Sequence, residues 1–231
     1  MKIQLLTIAI FLIGCNAHNR NAPLIPKDMT SMAERKNTLF AFVGEKISLN
    51  EILDDSVGMD AKYMAKYKIL QRVYGLFPGD TIEFKVFDHY GTPVFSLYKN
   101  VLLFVSAYNG KYYHEKYQFF AVYPTKNHRW AATYSKYYDY KKIKPEKIVF
   151  EDSVSLPTRI INLDGDTVYP DYPMQYFNVV GGRAFPLYGN YLEELFEIKK
   201  NGVLKWRGLF GKGNENWEDS TIKTEMVPVS K

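Results

Sequence analysis

Three short stretches carry residue types that do metal or phosphate chemistry. The segment His114-Glu115-Lys116-Tyr117-Gln118 is one residue away from H-E-x-x-H. That motif needs two imidazoles one helical turn apart on one zinc, with the Glu as base. Gln118 stands where the second imidazole would be, and the surrounding sequence reads as a strand, in which residues i and i+4 lie about 13 Å apart. Asn162, Asp164 and Asp166 have calcium-loop spacing. An EF-hand also needs Gly at the sixth position and a bidentate Glu at the twelfth, where this chain has Thr167 and Pro173. Asp164-Gly165 is better read as a hairpin turn. Residues 208–214, GLFGKGN, lack the spacing of a phosphate loop and the helix that should follow it. No G-x-S-x-G occurs. The four histidines, at 18, 89, 114 and 128, have no evident nucleophile beside them. No metal or cofactor is expected, and no catalytic residue is assigned.

Two other features bear on partners. Residues 134–147 interleave Tyr134, Tyr137, Tyr138 and Tyr140 with Lys136, Lys141, Lys142, Lys144 and Lys147. Tyrosine offers rigid contact area with a polar tip and lysine offers charge, which together suit a surface for a protein or an acidic glycan. The same residues also make a lysine-protected edge strand and loop. Tyr134, Tyr137, Tyr138, Tyr140, Lys141 and Lys142 are the candidate partner-binding set. Glu193 and Glu194 are adjacent and point apart on a helix, so they read as a solvated face. A glycosidase pair is drawn from distant residues and stays open on sequence grounds.

The only cysteine is Cys15. It follows Lys2 and an apolar run, Leu5–Ile13, broken only by Thr7. This run is far shorter than the roughly 20 residues of a membrane span and has the proportions of a secretory h-region. Leu12-Ile13-Gly14-Cys15 resembles the bacterial lipobox. The resemblance implies a signal peptide over 1–14, diacylglycerol on the Cys15 sulfur, cleavage before it, and usually acylation of the new amine. Two or three acyl chains anchor stably to a membrane surface. The other reading is a buried N-terminal helix with a chance thiol. Asn16, where relatives retained at the inner membrane carry Asp, implies the outer membrane. No acidic cluster follows the Cys, so a periplasm-facing orientation is preferred to the cell surface.

An exported chain with one committed cysteine has no disulfide and must fold on its core alone. Chains of about 150 residues already bury two-thirds of their unfolded surface. This one has 231 residues, 46% hydrophobic and 16% aromatic, with 19 Tyr and 15 Phe. The formal charge is +5, and loss of Lys2 leaves +4. This suits an anionic envelope surface or polyanionic glycans and does not argue for nucleic acid.

Residues 15–37 read as a lipidated tether, which at about 3.4 Å per residue reaches roughly 70 Å. From Thr38 the pattern is β. Residues 38–49, TLFAFVGEKISL, are apolar with Gly44 as a bulge. Tyr67, Ile69 and Val73 alternate with Lys68 and Arg72. Ile82, Phe84 and Val86 alternate with Glu83 and Lys85. Residues 100–110 form a near-continuous apolar run ending in the turn signal Asn109-Gly110, and 111–123 make its hairpin partner. Five strands are expected over 38–125. Residues 126–210 read as a β-rich extension, within the same domain or apart from it, with strands over 147–154 and 159–169. A helix is expected over 190–200, with Asn190 as N-cap, Glu193 in the capping box, Leu192, Leu195, Phe196 and the Lys199 stem buried, and Gly202 at its end. Residues 203–210 are expected to return as a strand, and 211–231 as a loose tail.

The pieces Phe42-Val43-Gly44, Val73-Tyr74-Gly75, Gly79-Asp80-Thr81 and Leu102-Leu103-Phe104 resemble bacterial members of the netrin and tissue-inhibitor-of-metalloproteinase-like group, over about 90 residues. That resemblance implies an OB-type β-barrel and a role in protein or glycan contact. Disulfides are usual there and none is available here. In that group's inhibitors an N-terminal Cys amine chelates zinc, whereas Cys15 is assigned to lipid, so inhibition does not carry over. The expected fold is thus mainly β, an OB-like barrel followed by an irregular β segment and one amphipathic helix. The expected function is a lipid-anchored, non-enzymatic binding or scaffold module for an envelope protein or glycan. A glycan- or cell-wall-active hydrolase and a structural subunit of a larger outer-membrane complex are the alternatives.

Overall fold

The computed structural model describes residues 38–53, 59–136, 143–162 and 165–210. Cys15, the tether, Tyr137, Tyr138, Tyr140, Lys141, Lys142 and the tail lie outside the described residues.

Five strands close a barrel: β1 (Thr38–Glu51), β2 (Ala61–Tyr74), β3 (Thr81–Asp88), β4 (Asn100–Tyr108) and β5 (Lys111–Ala121). Their order is β1-β2-β3-β5-β4 and back to β1. Every contact is antiparallel except the one between β3 and β5, which pair in parallel at Lys85 and Tyr113. This is an OB-like topology. The alternation read in the sequence sets the faces: Ile82, Phe84 and Val86 of β3 and Tyr67 and Ile69 of β2 point into the barrel. Asn109 and Gly110 both take positive φ, 48° and 71°, and Tyr108 pairs with Lys111 across them. This is the backbone a two-residue hairpin requires.

The continuous apolar run in β4 has a physical reason. Val101, Leu103 and Val105 face the barrel interior, while Leu102 and Phe104 face outward under a second layer. A strand covered on both sides has no polar face to alternate. In β1, likewise, Phe40 and Phe42 point in and Leu39, Ala41 and Val43 point out.

The outer layer is helical. Helix α1 (Leu192–Lys199) leads into a kinked π segment, Lys200–Leu204, that bends at Gly202. Leu192, Leu195, Phe196, Ile198, Leu204 and Leu209 press on the outward residues of β1 and β4, and the Phe196 ring stacks on Tyr74 at 4.9 Å. The stripe expected from the sequence is therefore the packing face. Three expectations fail around it: the N-cap, the capping-box residue and the strand that was to follow. The N-cap is Tyr191, not Asn190, and it is Glu194 Oε2, not Glu193, that accepts the Tyr191 N–H at 3.0 Å. Asn190 is held one residue earlier, in a strand paired with Ala132. Gly202 interrupts the helix with a non-helical backbone, φ −106° and ψ −112°, but residues 203–210 do not form a strand. Helical turns resume after it as far as Trp206. They stop where the Leu209 N–H bonds to the Leu204 carbonyl and the Gly208 N–H to that of Lys205, the Schellman pattern. Replacing Glu194 by alanine is expected to cost about 1 kcal/mol in urea denaturation, and by glutamine much less.

The remaining strands are short: β6 (Tyr123–Pro124), β7 (Trp130–Thr133), β8 (Glu146–Lys147), β9 (Leu156–Pro157), β10 (Ile160–Ile161), β11 (Thr167–Val168), β12 (Phe177–Val180), β13 (Arg183–Pro186) and β14 (Tyr188–Tyr191). They form sheets β6-β7-β14-β8, β12-β13-β9 and β10-β11. The strand expected over 147–154 is mostly irregular. Ile148, Phe150 and Val154 are buried beside Ala131, so apolar burial and not pairing explains their pattern. The 159–169 hairpin is present, but it closes with the Asn162 N–H on the Asp166 carbonyl and Gly165 at φ 87°, around three residues and not two.

Candidate functional site

The site is built on a break in β5. Its pairing with β4 runs from Val105–His114 to Leu103–Phe119, five steps on β5 against two on β4, so β5 carries three extra residues. Bulges unpair backbone groups and re-aim side chains. The unpaired groups here are met by side chains. His114 Nε2 lies 2.9 Å from the Gln118 carbonyl, and the Lys116 carbonyl accepts from Arg207 Nη2 at 2.9 Å and Gln118 Nε2 at 3.0 Å. Glu115 accepts from Ser106 Oγ and pairs with Arg207 Nη1 at 2.8 Å, and Lys199 Nζ donates to Gln118 Oε1 at 2.9 Å. His114 and Gln118 thus meet, where an unbroken strand would hold them far apart.

Tyr117 sits at the crest with φ 65°, a backbone state uncommon for a bulky residue and typical of functional positions. Around it are Asp60 just before β2, His89 and Tyr90 just after β3, and Lys116. The Tyr117 hydroxyl accepts the His89 backbone N–H at 3.2 Å. Its ring lies 5.9 Å from that of Tyr90, inclined by 41°. Lys116 Nζ is 2.6 Å from Asp60 Oδ2, and His89 Nδ1 is 3.5 Å from Asp60 Oδ1. Asp88 Oδ1 accepts the Tyr90 N–H at 2.9 Å. The Lys116 hydrogen bond, opposed by burial and aided by the charges of Lys116 and His89, holds the Asp60 carboxyl below its ordinary range. Burial pulls Lys116 down, but its hydrogen bond to Asp60 and that carboxylate's charge outweigh this and raise it. Tyr90 is 79% exposed and Tyr117 42%. The arrangement presents the open ring of Tyr90 next to the half-exposed ring of Tyr117, over which the Lys116 ammonium lies at 5.3 Å, paired with the Asp60 carboxylate.

The stretch His114–Gln118, singled out for its likeness to a zinc motif, forms the bulge itself, as a break in a strand and not as a helix; the other residues singled out by sequence fall elsewhere. Tyr134 is buried, its ring 3.8 Å from Tyr176 and packed against Phe177. It belongs to a small core and not to a contact surface, because its hydrophobic body found partners far along the chain. Tyr137, Tyr138, Tyr140, Lys141, Lys142 and Cys15 lie outside the described residues. Asn162 Oδ1 accepts the Asp166 N–H at 2.7 Å, so the calcium-like spacing closes a turn. A shallow groove beside α1 is lined by Ile143 and Pro145 with Glu146, Glu193, Glu194 and Glu197. Glu193 is paired with Arg129, and Glu197 with Lys200 and Asn201, while Glu194 caps the helix. Asp60, His89 and Tyr90 were not singled out as a site by sequence, and Lys116 and Tyr117 entered only as the middle of the zinc-motif near miss.

The barrel and its bulge define an OB-like β protein with an external helical layer. No protein-family model, no curated protein and no solved structure matches the chain. Among the described residues no helix is long and apolar enough to cross a membrane.

Proposed function

We propose that the chain is a lipid-anchored cell-envelope protein, held at the outer membrane through acyl chains on Cys15 and facing the periplasm, that acts as a non-enzymatic binding module. The bulge of β5 is its contact face. The observation that carries this reading is the rigid presentation of exposed Tyr90 and Tyr117 beside Lys116, Asp60 and His89. Exposed rings backed by satisfied polar groups suit recognition. A hydrolase reading needs two carboxylates free to exchange protons. Glu193, Glu194 and Glu197 are each committed to a structural partner.

Two measurements test the reading. Cells fed a labelled fatty acid are expected to label the wild-type chain and not Cys15→Ala. An unlabelled wild type would remove the anchor. A photocrosslinking phenylalanine analogue in place of Tyr90 is expected to trap a partner in intact cells, and the same group at Leu76, which is even more exposed and lies in the turn between β2 and β3, is not. Equal trapping at both positions, or none at Tyr90, sinks the assignment of the face. Trapping of a constant set of stoichiometric subunits from both positions would instead support a structural component of a larger complex.

A further inference from the structure

We infer that the ligand taken at the β5 bulge is an uncharged saccharide chain, an inference that rests on reading this bulge as a binding face. The ring geometry excludes flat ligands between the two tyrosines. Parallel insertion of an aromatic needs two faces about 7 Å apart, twice a carbon contact distance, whereas these rings are 5.9 Å apart and inclined by 41°. Ligand therefore meets the outer faces, and Tyr90 offers the larger one, 79% exposed. The negative face of a phenol ring attracts weakly positive C–H edges, and a pyranose presents several of them on one side with hydroxyls around its rim.

The rim of the site matches those hydroxyls. A hydroxyl both donates and accepts, so it is best met by a mixed set of groups. Here Lys116 and His89 Nε2 are on hand with the Asp60 carboxylate and the Tyr90 hydroxyl. Neither His89 Nε2 nor the Tyr90 hydroxyl forms a hydrogen bond among the described residues. The charges argue against an anionic polymer. Among the described residues the cations at the bulge are already committed: Lys116 is tied at 2.6 Å to Asp60 and Arg207 at 2.8 Å to Glu115, and Asp88 lies beneath Tyr90. Phosphate or uronate would find each of these cations already neutralised by a carboxylate, with the buried Asp88 close by. The mild positive charge of the whole chain is thus not expressed at this face.

The test is affinity electrophoresis of the full-length, detergent-solubilised protein through native gels containing starch, galactomannan, xylan or alginate. Retardation by at least one of the three neutral polysaccharides is expected, weakened at least about tenfold by Tyr90→Ala and little changed by Tyr90→Phe. Tyr90 is exposed, so the variant is expected to fold, and an unchanged thermal melt checks this. Retardation by none of the neutral polymers, by alginate alone, or equally for wild type and Tyr90→Ala overturns the inference. The crosslinking at Tyr90 separates the two failures. A trapped protein partner with no polysaccharide retardation keeps the binding face and removes the saccharide, and absence of both removes the face itself.

Discussion

Replacing Gly75 by alanine is expected to destabilise the chain by about 3 kcal/mol or more, enough to leave a marginal domain largely unfolded. Two costs add. Gly75 has φ 73°, where an L side chain costs roughly 1–2 kcal/mol. A Cβ built there would also overlap the carbonyl oxygen of Leu39, with the Phe40 ring 3.1 Å away. The clash is with backbone, not with a side chain that can swing aside. Leu39 pairs with Ser106 of β4, and its side chain lies under α1. Displacing it therefore disturbs the barrel wall and the helical layer together. Urea denaturation of Gly75→Ala against Gly91→Ala separates the terms. Gly91 also has positive φ, 94°, but open space around it, so its variant should lose only the conformational part. Equal losses for the two would show that close approach to β1 is irrelevant.

The second large effect is acid sensitivity from His114. Its imidazole lies against Phe95 and Phe84, centroids 4.6 and 6.2 Å away. Burial, aided by the nearby charges of Arg207 and Lys199 and opposed by the hydrogen bond to the Gln118 carbonyl, pushes its pKa down to about 4. A carbonyl only accepts, so Nε2 carries the proton of the neutral ring. The unfolded chain protonates near pH 6.5 and the folded one near 4. The stability tied to the neutral ring is fully present above about pH 6.5 and is lost as pH falls towards 4. The loss is roughly 1.4 kcal/mol per pH unit, about 3 kcal/mol across the window. His114→Gln retains a donor for the bulge and removes the titration. Between pH 7.5 and 4, wild type should therefore lose about 3 kcal/mol more than this variant in urea denaturation. Parallel losses would mean that the buried ring is not what titrates.

What the sequence conveyed and what it hid follow from the range of the interactions. Ile82, Phe84 and Val86, the Asn109-Gly110 turn and the Leu192, Leu195, Phe196 stripe were legible, since each is a local pattern of period two, one turn, or period 3.6. The helix start was read one residue early because Asn190, a good cap in isolation, is buried with its side-chain amide turned to the Lys144 carbonyl and Glu194 Oε2. The contact face was hidden for a stronger reason. Lys116 meets Asp60 across 56 residues and Glu115 meets Arg207 across 92, distances at which spacing carries no information. Tyr134 shows the converse. A tyrosine among lysines reads as surface, yet its ring stacks under Tyr176. The sequence pattern cannot say which tyrosine of a cluster turns inward.

The two-sided pairing of β1 bears on how the domain would carry a load. Thr38 opens the strand. From Thr38 to Phe40 β1 is paired with β4, from Ala41 to Glu45 with β4 and β2 together, and from Lys46 to Glu51 with β2. Tension drawn along β1 from Thr38 would strain these rungs in shear, many at once, instead of peeling them one after another. Strands loaded this way yield only when a long stretch slides together. The first strand of the barrel is then also its mechanical clamp, and a pull from the N-terminal side would load that clamp directly.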